Sequence, residues 1–124
     1  MDLYSESVLD HYEHPHHAGH LAAPDVRVRE DNVLCGDSII LDCSFNQAGE
    51  LSDLAFAGSG CALSQASMSI LSDSIIGKKC QEIDALDAHM MQVLLGSTIA
   101  PARLKCAMLG IAALKRACKE HNNQ

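Results

Sequence analysis

Two short apolar runs at period two, separated by a tight turn, constrain this chain most. In residues 38–46 the β-branched content, with Ile39, Leu41, Cys43 and Phe45 at period two, predicts a strand with Asp42 and Ser44 on its opposite face. Gln47, Ala48, Gly49 and Glu50 supply a turn, and residues 51–58 return with Leu54 and Phe56 on one face. The result is an antiparallel hairpin. Upstream, Val26 and Val28 alternate with Arg27 and Arg29, so a short edge strand is expected to reach about Glu30.

The remaining periodic segments are helical. In residues 3–13, Tyr4, Val8 and Tyr12 fall near one face with Leu9 beside it, and Pro15 and Gly19 end the helix. Residues 14–25 read as a loop. Gly58-Ser59-Gly60 interrupts the hairpin, and a helix over 62–76 carries Leu63, Ala66 and Ile70 in one stripe and Met68, Leu71 and Ile75 in another. Gly77 fits its C-terminal cap. Two short helices are expected in 80–95, ended by Gly96-Ser97. A last one runs from Pro101 to about His121, with Leu104, Ala107, Met108, Ile111, Leu114 and Cys118 at helical spacing. The order α-β-β-β-α-α-α-α predicts an α+β fold, a small three-stranded antiparallel sheet with helices mainly on one face. At 124 residues, a single domain over 1–124 is expected, large enough to bury a core without disulfides.

Composition narrows function. With 9 Lys+Arg against 16 Asp+Glu, the formal charge of −7 argues against binding nucleic acid through its phosphates. Residues 1–77 carry 12 acidic and 2 basic side chains and residues 78–124 carry 4 and 7, a polarity that could orient a partner. Residues 54–72 lack charge but hold two glycines, five serines and a glutamine, so no membrane span is expected there. The first residues show no export signal. The chain reads as soluble and cytoplasmic.

Six cysteines, at 35, 43, 61, 80, 106 and 118, then matter, because thiols stay reduced in the cytosol and no C-x-x-C pair is present. Cys43 and Cys118 share apolar stripes and read as core. Cys80 reads as incidental. Cys35, Cys61 and Cys106 differ: two sit beside glycines, and Cys61 and Cys106 lie at helix beginnings, where partial positive charge favours thiolate. Asp37 is two residues from Cys35, and extended backbone would point both the same way. Three thiolates and a carboxylate form a set suited to Zn²⁺ or to cluster iron. The His14-Pro15-His16-His17 run, with His20, reads as a solvated, partner-facing loop rather than a second metal site.

These segments resemble the IscU/SufU/NifU N-terminal-domain family of iron–sulfur cluster assembly proteins. Tyr12-Glu13-His14-Pro15 with Gly19 is similar to the family's N-terminal stretch, with His17 where asparagine is usual. Cys35-Gly36-Asp37, Gly58-Ser59-Gly60-Cys61 with Ser64, Ala66 and Ser67, and Arg103-x-x-Cys106 resemble its three cysteine motifs. Lys105 replaces the histidine that the IscU type has before its third cysteine, and Ser97–Pro101 replaces a chaperone-docking motif. Arg103 is SufU-like, but the 45-residue offset from Cys61 to Cys106 lacks the SufU insertion. The chain thus leans towards SufU while keeping IscU-like spacing.

The resemblance implies a SufE/NifU-like fold and a scaffold without enzymatic turnover. A pyridoxal-phosphate cysteine desulfurase would deliver persulfide sulfur to Cys106 or Cys35, with Arg103 in support. A labile [2Fe–2S] cluster would form on Cys35, Asp37, Cys61 and Cys106 and pass to acceptor apo-proteins. The alternative is a zinc-dependent sulfurtransferase partner that uses the same four ligands and holds no cluster. A metal hydrolase with Asp37 as base fits less well, because no separate acid or base stands near the proposed ligands.

Overall fold

A computed structural model describes residues 5–124. Leu3 and Tyr4, which the sequence pattern assigns to the first helix, lie outside the described residues. Helix α1 spans Glu6–Glu13, with the Ser5 hydroxyl accepting from the Val8 N–H. Three strands follow, β1 Val26–Asn32, β2 Asp37–Phe45 and β3 Leu51–Ser59, in antiparallel order β1-β2-β3. Helices α2 Ala62–Ile75, α3 Cys80–Asp84, α4 Ala88–Leu95 and α5 Pro101–Asn122 complete the chain. The α+β architecture read from the sequence is the one observed.

Alternation along β2 sends Ile39, Leu41 and Cys43 into the core, where they meet α2 and α5 together with Val26, Val28, Leu54 and Phe56. Phe45 departs from the alternation, because the register shifts between Ser44 and Phe45; its ring stacks on His121 at 4.0 Å instead. On the helical side, α2 and α5 cross closely at Gly110, where a Cβ would come within 2.9 Å of Met68 Sδ. α1 buries less than its pattern suggests. Val8 is in the core, whereas Leu9 and Tyr12 remain exposed.

The loop between α1 and β1 closes the outer edge of β3: Phe56 N–H donates to the His17 carbonyl at 2.9 Å, and Gly19 N–H donates to the Phe56 carbonyl at 2.8 Å. It also covers Asp42, which alternation places opposite the core but which is fully buried. Asp42 is satisfied there by a two-point bond from its cross-strand partner Arg27 (2.6 and 2.8 Å) and by the Leu21 N–H at 2.9 Å. The Arg27 bond, helped by Leu21 and His20 and opposed by burial, holds the Asp42 carboxyl below its ordinary 3.8.

An ionised Asp42 therefore stabilises the fold above about pH 3.8, and that contribution fades as pH falls towards the lower folded value. Arg27→Ala is expected to lower the thermal midpoint at pH 7. Its deficit against the parent protein should close in melts taken below pH 3.8, with chelator present throughout.

Candidate metal centre

Four chain segments meet at the end of the sheet where β1 turns into β2. Cys35 stands in the exposed turn before β2, and Gly36 after it has φ +69°, a left-handed value that glycine adopts without strain. The route to Asp37 is thus a tight turn, not the extended i, i+2 arrangement that the spacing suggests. Asp37 opens β2 and is buried. Its Oδ1 accepts the Cys61 N–H at 2.8 Å, and its Oδ2 lies 3.8 Å from Cys61 Sγ. Cys61 is the N-cap residue of α2 and has no side-chain cap bond of its own, so the Asp37 carboxylate serves that helix start. Gly60 makes this approach possible: a Cβ there would run into the Asp37 carboxylate.

Cys106 enters from α5, one turn beyond Arg103 on the same helical side. Its sulfur lies 3.4 Å from Cys35 Sγ, and Asn32 Nδ2 approaches it at 4.0 Å. Proximity to a helix start would favour thiolate, but Cys106 is buried. Burial first, then the Cys35 thiol and the nearby Cys61 and Asp37, push its pKa well up, so it is a neutral thiol until something displaces its proton.

These distances test whether the donors suit a metal. Four ligands around one zinc ion at tetrahedral geometry lie roughly 3.5–3.8 Å apart for sulfur–sulfur and sulfur–oxygen pairs. The 3.8 Å Asp37–Cys61 contact falls at that spacing and the 3.4 Å Cys35–Cys106 contact is slightly shorter; donor atoms of Cys35, Asp37 and Cys106 all lie within 4.8 Å of one another, with Cys61 outside that set but beside Asp37. The residues fit.

The other three cysteines are set apart. Cys43 is fully buried, its pKa raised to about 12 by burial. Cys118 is buried, its pKa raised by burial and by the neighbouring Cys80 thiol, which is half-exposed at the start of α3. Sequence reasoning did not single out Asn32, whose amide nothing in the pattern marks. Nor did it single out Val33 and Leu34, 87% and 83% exposed beside Cys35; two consecutive apolar residues in a turn were the available signal.

Residues 3–124 match the NifU-like N terminal domain. The chain belongs to that family. It is 37% identical over 138 residues to the iron–sulfur cluster assembly scaffold protein IscU of Streptococcus pyogenes serotype M1, covering 98% of this chain and 86% of that one. It is 34% identical to the protein of the same name from Thermotoga maritima, covering 95% and 94%. A crystal structure of a proposed iron–sulfur cluster assembly scaffold for the SUF system, from Fervidobacterium islandicum AW-1, superposes with a TM-score of 0.79. That pair is 26% identical, with 94% and 96% of the chains covered. IscU and SufU names both occur among these relatives, and the SufU-like features of this member agree with either. Among the described residues, no helix is long and apolar enough to cross a membrane.

Removing a buried thiol outside the site should leave the site intact. Cys43→Ala and Cys118→Ala are each expected to cost roughly 1 kcal/mol of stability. Metal stoichiometry, measured by elemental analysis of the purified variants, should match the parent protein.

Proposed function

We propose that this NifU-like domain is an iron–sulfur cluster assembly scaffold, with Cys35, Asp37, Cys61 and Cys106 as the ligands on which the cluster is built. The observation that carries this reading is the convergence of Cys35, Asp37 and Cys106, whose donor atoms lie within 4.8 Å of one another, with the Cys61 sulfur 3.8 Å from the Asp37 carboxylate at their side. The names of the relatives support it.

Each residue has a part. Cys61 and Cys106, on α2 and α5, hold the cargo from the helical side, and Cys35 reaches it from the solvent side. A cysteine desulfurase is the sulfur donor in this reading. A thiolate of this chain, the exposed Cys35 or Cys106 once a base or bound ion has displaced its proton, attacks the outer sulfur of the donor's persulfide. The new S–S bond forms here as the donor's S–S bond breaks, and the donor cysteine leaves as thiolate. Exposed Val33 and Leu34 give the donor an apolar edge to dock on beside Cys35, and Arg103 attracts the anionic sulfur. Asp37 is the hard ligand among soft ones, which weakens its hold on iron and lets the cluster pass to acceptor apo-proteins. The protein works in the cytoplasm in this reading, as a carrier without turnover.

A zinc-dependent sulfurtransferase role is the second reading, and the donor spacing favours it specifically. Cys35, Asp37 and Cys106 are already close enough to share one ion, and Cys61, 3.8 Å from Asp37, would complete its tetrahedron by a side-chain shift. Bound Zn²⁺ would hold the thiols as thiolates, and displacement of Cys35 would free it to attack the persulfide.

Metal analysis of the protein as purified, followed by anaerobic incubation with ferrous iron, cysteine and a desulfurase, separates the two. Visible sulfur-to-iron absorption that is lost in Cys61→Ser is expected for the scaffold. Retained zinc, no colour and faster desulfurase turnover would replace the scaffold with the second reading.

Asp37→Ala is expected to slow cluster loss to an apo-acceptor. The same change should destabilise the metal-free fold by about 1–3 kcal/mol, because it removes the carboxylate bond to the Cys61 N–H. Faster loss would remove Asp37 as the labile ligand.

A further inference from the structure

A second set of metal-ligand side chains gathers away from the cysteines. The histidines of the loop after α1 turn back onto α2. There His16 Nδ1 lies 2.6 Å from Asp73 Oδ2, and His17 Nε2 lies 3.4 Å from Asp73 Oδ1. His11, from α1, stacks obliquely over His16 with ring centroids 4.4 Å apart. One nitrogen of His11, one of His16 and one oxygen of Asp73 lie within 4.8 Å of each other. Asp73 is twelve residues beyond Cys61, about 18 Å along the axis of α2 at 1.5 Å per residue. The two groups of donors are separate.

We propose that His11, His16 and Asp73 form a binding site for a divalent transition-metal ion of the Zn²⁺ type, held by imidazole nitrogen and carboxylate oxygen, with His17 beside Asp73 at its edge. Two imidazoles and one carboxylate make an N₂O set that leaves the fourth tetrahedral position to water or to His17, and imidazole suits Zn²⁺ and its first-row neighbours. Ligand atoms of such a site lie roughly 3.3 Å apart. The His17–Asp73 separation already matches, and the His16–Asp73 pair must widen slightly as the ion takes the place of their shared proton. His16 and Asp73 are about half-exposed, so both have room to move.

Ser69 is the supporting element. It is fully buried one helical turn before Asp73, and its Oγ lies 2.8 Å from His11 Nδ1 while accepting the His16 backbone N–H at 2.8 Å. With His11 Nδ1–H donating to Ser69, the other ring nitrogen keeps its lone pair, the arrangement by which a histidine ligand is oriented. Burial, with His16 nearby, lowers the His11 pKa and favours this neutral ring. The ligands come from α1, its following loop and α2, so a bound ion clips the N-terminal segment to the helix that presents Cys61.

This site is independent of the scaffold reading, and its test uses the full chain. After one equivalent of Zn²⁺ has been added to fill the cysteine site, Co²⁺ is titrated and followed by calorimetry and visible absorption. A second equivalent should bind with ligand-field bands and no added thiolate charge transfer. His16→Ala and Asp73→Asn, checked for folding by thermal melts, should each weaken that second equivalent by ~10-fold or more. The first equivalent should change less than about twofold. Uptake of one equivalent only, a second equivalent with thiolate charge transfer, or one indifferent to Asp73→Asn would each overturn the proposal.

Discussion

The Asp37 carboxylate is the contact on which this end of the molecule depends. It is buried at the first residue of β2, and it accepts the N–H of Cys61, the residue that starts α2. A buried carboxylate without such a partner would be costly, and an unserved helix start would leave backbone donors unsatisfied. Each deficiency answers the other. The arrangement requires the backbone at Gly60 to pass where no side chain fits. Through that one bond, the β1–β2 turn and the β3–α2 junction are held in register, and two cysteines far apart in sequence are presented to the same space.

The periodic elements were legible in the chain because one rule governed them. Residues of β2 and α5 repeat at 2 and 3.6, and their burial follows those periods. Where a second element covers a face, the rule loses its hold. Asp42 occupies a polar position by alternation, yet it is buried, because an aperiodic loop folds over it and brings the Leu21 N–H, while the adjacent strand supplies the Arg27 guanidinium. α1 shows the opposite case. Tyr12 has the apolar spacing of a core residue but stays exposed, since no other element among the described residues covers it.

The cysteines separated on the same grounds. Cys43 and Cys118 were marked as core by their stripes, and they are buried. Cys35, Cys61 and Cys106 were marked by their positions at turns and helix beginnings, and the fold brings Cys35 and Cys106 together around Asp37, with Cys61 beside that carboxylate, by geometry that spacing does not contain. Cys35 reaches Asp37 through a left-handed glycine rather than along a strand. The histidine run shows the limit more sharply. Its linear pattern gave no reason to connect it with His11 or with Asp73, which belong to two helices packed against the loop.

The close crossing of α2 and α5 at Gly110 has a mechanical consequence. With no side chain at that position, the two helices bear directly on one another through Met68, deep in the core. Cys61 and Cys106 ride on these helices and are jaws of a vice already set. Cys35, on its solvent-facing turn, is the finger that can lift away and come back while the vice stays shut.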